Sequence, residues 1–315
     1  MQLNHDSKIY VAGHRGLVGS AVVRALQARG YGELKLRTHQ ELDLTDQAEV
    51  RTFFQRERPD AVILAAARVG GIHANDTQPA RFMRDNLLIQ DNVIDAAHRS
   101  GVGKFVFLGS SCIYPKFAPQ PIKEEYLLTG PLEATNEWYA VAKIAGLKMC
   151  QAYRIEFGFN AISLMPTNLY GPGDNFNLFS AHVLPALIRR CHEAKERGDQ
   201  HLTVWGTGTP RREFLHVDDL ADAVVFALEN YDSDQFINVG CGEDITIREL
   251  AELVRSAVGY NGHLIFDSTK PDGTPRKLLD VSRISALGWR PRITLKMGIE
   301  RTYAWYRENV AEARL

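Results

Sequence analysis

Three short stretches combine residue types at spacings that chemistry can use. The first is Gly13-His14-Arg15-Gly16-Leu17-Val18-Gly19, which follows an apolar run and opens a helical pattern. Glycines at such a junction permit a tight turn and let backbone approach a pyrophosphate, while the helix N-terminus offers free N–H groups and a partial positive charge. The second is Tyr139-Ala140-Val141-Ala142-Lys143. Four residues apart on a helix, the phenol and the ammonium share a face. A free tyrosine titrates near ~10, and a neighbouring ammonium together with a positively charged cofactor ring favours its phenolate, so the phenol is expected to approach neutral pH in a dry cleft.

The third stretch is Leu108-Gly109-Ser110-Ser111-Cys112, at the end of another apolar run. If it stays extended, Ser110 and Cys112 face one side. The hydroxyl then shares a substrate carbonyl oxygen with Tyr139, and the thiol, ordinarily titrating near ~8.5, stands as a base that removes a proton α to the ketone. A proton taken from one face must be replaced on the other. His182, in Ser180-Ala181-His182-Val183, has the type for that task, and its place at a helix start equally suits a surface residue.

The second strand ends Leu36-Arg37-Thr38-His39, with no carboxylate before Glu41. NAD-binding chains place an acidic residue there for the ribose hydroxyl. Arg37, joined by Arg15 from the glycine turn, suits a 2′-phosphate instead, so the expected cofactor is NADP(H). The other reading of Arg37 is a cap on a surface loop. Asp43 is placed to accept from an adenine amino group.

These groups need elements to hold them. Continuous apolar runs at 8–12, 33–37, 61–66, 104–109 and 161–166 read as buried strands, and helical periods at 18–29, 46–57, 79–99 and 137–157 separate them. The expected fold is α/β, a Rossmann-type doubly wound parallel sheet whose ligands sit beyond the strands' carboxyl ends. After Pro172 the elements shorten, and Thr246-x-x-Glu249 forms a capping box. The expected division is an NADP-binding domain over 1–172, with segments returning near 213–240, and a smaller α/β substrate domain over 173–212 and 241–315.

The chain has 315 residues, twice a typical ~150-residue domain. Its 37 Lys and Arg against 38 Asp and Glu argue against a protein that coats nucleic acid or an acidic membrane. Cys112, Cys150, Cys191 and Cys241 form no C-x-x-C pair, which suits a reducing compartment and no metal site. The first six residues lack the apolar core of a signal peptide, and the apolar run 61–67 falls short of the ~20 residues of a membrane helix. A soluble, cytoplasmic protein is expected.

Taken together, the motifs resemble the GDP-L-fucose synthase family of extended short-chain dehydrogenases, bifunctional 3,5-epimerase/4-reductases, nearly from end to end. The resemblance lies in Gly13 to Gly19, Val69-Gly70-Gly71-Ile72, Ser110-Ser111-Cys112-Ile113-Tyr114-Pro115 and Asn136-Glu137-Trp138-Tyr139. It continues in Pro166-Thr167-Asn168-Leu169-Tyr170-Gly171, Val204-Trp205-Gly206-Thr207-Gly208, Arg212-Glu213-Phe214-Leu215-His216 and Lys270-Pro271-Asp272-Gly273-Thr274-Pro275-Arg276-Lys277. It implies a reductase triad of Ser110, Tyr139 and Lys143, with Cys112 as epimerisation base and His182 as acid. It also implies cofactor contacts from Gly13, His14, Arg15, Gly16, Leu17, Val18, Gly19, Arg37, His39, Asp43, Leu108, Gly109, Lys143, Pro166, Thr167, Asn168, Leu169 and His182. Arg190, Trp205, Arg212 and Asp272 are implied to hold a GDP-sugar, in a homodimer packed through helices of the first domain. The alternatives are an NAD-dependent nucleotide-sugar 4-epimerase and, from another class, a non-catalytic NADP-sensing regulator on the same fold.

Overall fold

The computed structural model describes residues 3–270 and 272–309. Its first half alternates strand and helix: β1 (Ile9–Ala12), α1 (Leu17–Ala28), β2 (Leu34–Lys35), α2 (Gln47–Glu57), β3 (Ala61–Leu64), α3 (Ile72–Thr77), α4 (Pro79–Arg99), β4 (Lys104–Leu108), α5 (Glu137–Phe157) and β5 (Ala161–Pro166). There follow β6 (Asn168–Tyr170), α6 (Val183–Arg197), β7 (His201–Trp205), β8 (Arg211–His216), α7 (Val217–Asn230), β9 (Ile237–Val239), β10 (Asp244–Thr246), α8 (Ile247–Val258), β11 (His263–Asp267), β12 (Arg276–Lys277), α9 (Ser282–Ala286) and α10 (Leu295–Glu308).

Six strands form one parallel sheet in the order β2-β1-β3-β4-β5-β9. Strand side chains alternate in direction, so each strand supplies two cores. Ile9, Val11, Ile63 and Val106 join α1 and α7 on one face, while Tyr10, Val62, Phe105 and Phe107 join α2, α4 and α5 on the other. Both faces are covered, and this explains why the strands read as unbroken apolar runs. The second strand is shorter than its apolar run, because a turn closes behind it with the N–H groups of Glu41 and Leu42 bonded to the Thr38 carbonyl. Arg37 therefore lies past the strand end.

The remaining strands form two smaller sheets. β8 pairs antiparallel with β10 and parallel with β12 and β6, and β7 pairs parallel with β11. A third apolar core joins α6, α8 and α10. The capping box is present in both halves: Thr246 Oγ1 accepts from the Glu249 N–H at 3.1 Å, and Glu249 accepts from the Thr246 N–H at 2.9 Å. Pro271, in the turn-rich 270–276 loop, lies outside the described residues.

Close packing sets the two helices that matter most for chemistry. Gly13 adopts φ +85°, and a Cβ on Gly19 would fall 2.1 Å from the Gly13 carbonyl oxygen. Only without side chains can α1 start this near the end of β1. On the other face, a Cβ on Gly146 would stand 2.6 Å from the Phe107 ring, and Gln90 donates to the Ala142 carbonyl at 2.6 Å. These contacts seat α5 on β4 and α4. We expect Gly19→Ala to destabilise the protein by about 1–3 kcal/mol, the usual cost of overpacking a rigid interior. Chemical denaturation measures it, and an unchanged midpoint would show that α1 can slide without penalty.

Candidate functional site

In a parallel sheet the carboxyl ends of neighbouring strands share one edge. At that edge lie the glycine turn after β1, Ser110 to Cys112 after β4, and Pro166 to Leu169 at and after the end of β5. The glycine turn fits a dinucleotide phosphate. Gly16 caps α1 without any side-chain hydrogen bond, no acidic residue occupies the first turn, and His14 Nδ1 is buried without a hydrogen-bond partner. Burial first, then the Arg15 charge, holds the His14 imidazole below its usual pKa, so it presents a neutral ring to a ligand. Arg15 is exposed, and Leu17 and Val18 are half-buried at the helix start.

Arg37 is committed within the chain. It donates to the Leu36 carbonyl and to Glu57 Oε1, both at 2.8 Å, and lies 5.6 Å from the Phe53 ring centre. His39 is exposed, 3.8 Å from Asp43. Asp43 Oδ1 accepts from both the N–H and hydroxyl of Thr45, at 2.9 and 2.8 Å. Thr167 bonds through its N–H to the Val239 carbonyl, and Asn168 donates to the Glu213 carbonyl at 2.8 Å. Pro166 and Thr167 are buried, Leu169 half-buried. Gly109 has no room for a side chain, because a Cβ would meet Met165 Sδ at 2.2 Å.

The segment after β4 does not stay extended. Ser111–Ile113 is a 3-10 turn capped by Ser110, whose Oγ accepts from the Cys112 N–H at 3.3 Å. Hydroxyl and thiol are therefore brought together by a cap, not by strand alternation. Cys112 is buried, and burial pushes its thiol above the usual range, opposed by Lys277, Ser110 and Lys143 in that order. Lys143 is buried, donates to the Leu108 carbonyl at 2.8 Å, and lies 5.8 Å from the Tyr139 ring centre. Burial lowers its pKa to about 8, against the raising effect of Cys112.

The protein's own groups do not supply the lowering expected of the phenol, which counted on the cofactor ring as well as the ammonium. Burial, followed by the charge of Cys112, pushes Tyr139 above its usual range. The reason is geometric: the Lys143 ammonium is spent on the Leu108 carbonyl below the tyrosine, and desolvation outweighs a cation held at that distance. In this chain alone Tyr139 is a proton-bearing acid.

His182 caps α6 in an extended conformation, and its side chain makes no capping bond. By surface it is open to the cleft, yet enough protein crowds the ring that desolvation, then Lys277, push its pKa below the usual value. Arg190 donates to the Thr203 carbonyl of β7. Trp205, 67% exposed at the end of β7, has Lys270 Nζ 5.7 Å from its ring centre. Asp272 accepts from the N–H and hydroxyl of Thr207 at 3.0 and 2.7 Å, fixing the loop that carries Trp205. Arg212 is half-buried, and burial lowers its pKa against the opposing charges of Asp272 and Glu133.

Lys277 was not among the residues that spacing singled out. It sits on β12 opposite Arg212. Burial lowers its pKa while Cys112 raises it, so it is the cation that joins thiol, imidazole and Arg212. A lone lysine in a two-residue strand leaves no periodic signal, and only the pairing of β12 with β8 brings it in. Glu133, also unforeseen, accepts from the Thr274 hydroxyl at 3.2 Å and pairs with Lys116 at 3.0 Å, bridging the two sides of the cleft. A cavity of about 960 Å³ lies elsewhere: Phe214, Ile245, Leu253 and Leu295 line it, and of the candidate site residues it shares only Arg212.

A model of the NAD dependent epimerase/dehydratase family matches residues 9–240. GDP-L-fucose synthase 1 of Arabidopsis thaliana is 64% identical over 305 residues, covering 97% of this chain and 94% of that protein. GDP-L-fucose synthase of Escherichia coli (strain K12) is 53% identical over 311 residues, covering 96% and 97%. The crystal structure of a GDP-L-fucose synthetase from Naegleria fowleri bound to NADP superposes with a TM-score of 0.92 at 31% identity, covering all of this chain and 97% of that one.

Because the Lys277 charge favours the Cys112 thiolate, its removal leaves less thiolate at any given pH. In a Cys241→Ser background, which removes the half-buried thiol, Lys277→Gln is expected to move the pH profile of Cys112 alkylation to higher pH. An unmoved profile would mean that Lys277 does not act on the thiol.

Proposed function

The chain belongs to the NAD dependent epimerase/dehydratase family and, within it, to the GDP-L-fucose synthases, and from that premise we propose how its residues divide the reaction. It is an NADP(H)-dependent oxidoreductase with epimerase activity that makes GDP-L-fucose. Neither the 4-epimerase nor the regulator reading is favoured. Gly13, Gly16 and Gly19 with the α1 terminus take the pyrophosphate, and Arg37 and Arg15 take the 2′-phosphate, Arg37 turning from Glu57 toward the stronger anion. Bound there, NADPH supplies the hydride that reduces the C4 carbonyl.

The sugar substrate is GDP-4-keto-6-deoxy-D-mannose. Arg190 and Arg212 hold its diphosphate, and Trp205 lies against the nucleotide, with Asp272 fixing the tryptophan loop through Thr207. Tyr139 and Ser110 donate to the C4 oxygen. Cys112 as thiolate takes the C3 proton, leaving an enolate whose charge rests on that oxygen, and His182 returns a proton to the opposite face. Once the thiol has released its proton to solvent and His182 has taken one up, the same groups repeat the exchange at C5. Tyr139 then gives its proton to the C4 oxygen as the carbon is reduced. Its raised pKa suits this: a phenol that keeps its proton can stabilise an oxyanion by donating to it, and one donor set serves three steps. What carries the reading is the cap that binds Ser110 Oγ to the Cys112 N–H beside Lys143 and Tyr139.

In this reading the six-stranded sheet with its returning α7 and β9 binds cofactor, and the smaller sheets bind the sugar nucleotide. A homodimer through α4 and α5 belongs to it too, supported by the exposure of Ile155 (81%) and Phe157 on α5. No helix among the described residues is long and apolar enough to cross a membrane, and a cytoplasmic location is part of the proposal.

The first assay is NADPH oxidation on adding GDP-4-keto-6-deoxy-D-mannose, with the product's configuration read by NMR. Stoichiometric oxidation to GDP-L-fucose is expected, and an unepimerised product would remove Cys112 and His182 from their roles. Cys112→Ser should slow epimerisation by about 10²-fold or more while NADPH binding persists. Arg37→Ala should raise KM for NADPH by roughly tenfold to a hundredfold, the worth of a charge-assisted hydrogen bond, and leave KM for NADH nearly unchanged. Equal effects on both cofactors would place the 2′-phosphate elsewhere.

A further inference from the structure

His182 must meet the face of the sugar opposite Cys112, and the loop that carries it, 174–181, is anchored at its far end, where Phe176 is buried in the third core and its carbonyl accepts from Arg189 at 3.1 Å. Nearer His182 the bonds are local turns: the N–H groups of Ser180 and Ala181 go to the Asn177 carbonyl, and Asn175 donates to Ser180 Oγ at 2.9 Å. Phe179 and Leu178 stand exposed. At this end a brace comes from the other side of the cleft, where the Gly71 N–H donates to the Ser180 carbonyl at 3.0 Å.

That brace is itself anchored. The Asn75 amide, on a buried side chain, donates to the carbonyls of Gly70 and Gly71 at 2.8 and 3.1 Å. Arg68 exchanges bonds with buried Asn86 of α4: its N–H donates to Asn86 Oδ1 at 2.9 Å and its carbonyl accepts from Asn86 Nδ2 at 3.0 Å. The Arg68 guanidinium reaches Asp85 of α4 at 3.2 Å and Gln78 at 2.8 Å. Residues 68–71 are thus tied to α4, which packs against α5 and so against the helix of Tyr139 and Lys143. The approach is close enough to demand glycine for space: a Cβ on Gly71 would stand 3.0 Å from the Ser180 carbonyl oxygen and 3.3 Å from that of Ala181.

We propose that Gly71 is a positioning residue for epimerisation, its N–H and its missing side chain setting the distance of His182 from the sugar. This rests on the reading of His182 as the proton donor. Proton transfer is steep in distance, and a 1 Å misplacement costs on the order of 10²-fold. Reduction at C4 uses Ser110, Tyr139 and Lys143, none of which hangs on this brace. A shifted Ser180 carbonyl should therefore slow inversion while leaving reduction intact.

The test is product partition: the ratio, by NMR, of incompletely inverted reduced sugar to GDP-L-fucose made by the NADPH-loaded enzyme. Both products come from the same folded molecules, so partial unfolding lowers the total rate without moving the ratio. Gly71→Ala is expected to raise the ratio roughly tenfold, since the Cβ displaces the carbonyl by a few tenths of an ångström. An unchanged ratio, whatever the total rate, overturns the proposal. His182→Asn run alongside separates the two levels. If His182→Asn raises the ratio and Gly71→Ala does not, the brace fails alone; if neither does, the reading of His182 fails and takes the brace with it. Should Gly71→Ala not fold, Asn75→Ala removes the anchoring bonds without adding an atom, and the same rise is expected, with no rise again overturning the proposal.

Discussion

The site depends on one buried contact, the bond from Lys143 Nζ to the Leu108 carbonyl at 2.8 Å. An ammonium with little exposed surface must find acceptors or lose its proton, and the last carbonyl of β4 is the acceptor within reach. The bond locks the register of α5 against the sheet edge. Tyr139, one turn earlier on the same helix face, is thereby set beside the 3-10 turn that begins three residues past Leu108. The tight seating of Gly146 on Phe107 serves the same end from below. Phenol, hydroxyl and thiol are held by rigid elements instead of by loops.

The cleft gathers groups that each resist charge. Burial raises Cys112 and Tyr139 and lowers Lys143, Lys277 and His182. Burial works against charge on every one of them, and the field that favours the thiolate comes from two lysines on different elements, Lys277 on β12 and Lys143 on α5. Low dielectric strengthens both the penalty and the attraction. Such a balance suits the roles proposed for Cys112, anionic in one step, and for Tyr139, which holds its proton until the reduction. The two lysines approach from opposite parts of the chain, so the thiol becomes fully poised only when the β8–β12 strand pair is in place.

Cross-connections hold those parts in register. Glu213, buried on β8, accepts from the N–H groups of Gly242 and Leu279 at 2.7 and 3.0 Å. Asn238 of β9 donates to the carbonyls of Ile122 and Asp280 at 3.0 and 3.1 Å and takes the Tyr114 hydroxyl. The segment carrying Lys277 is therefore clamped between the small sheet and the loop that follows Cys112. Buried polar groups used this way fix geometry more than they add stability, since their desolvation offsets most of what the bonds return.

What the sequence determined by itself is whatever short-range spacing encodes. Gly13, Gly16 and Gly19 after an apolar run specify a strand–turn–helix. Tyr139 and Lys143 share a helix face at any tertiary arrangement, and the Thr246 and Glu249 box opens α8 as written. The parallel sheet was legible too, since only strands covered on both faces read as unbroken apolar runs. Tertiary structure decided where charge goes. The spacing of Tyr139 and Lys143 put an ammonium beside the phenol, yet the carbonyl of Leu108 claims that ammonium, and burial dominates what the protein itself does to the phenol. Extended geometry was assumed for Ser110 and Cys112, and a capped turn joins them instead. Arg37 was visible as a cation, but not its partner Glu57, twenty residues on in α2. Lys277 and Gly71 stood in motifs of the resemblance, but nothing local said what they touch, because their neighbours, Cys112 and Ser180, are more than a hundred residues distant along the chain. Pairing across such separations is set by which surfaces the whole fold buries together, a property of every element at once and of no stretch alone.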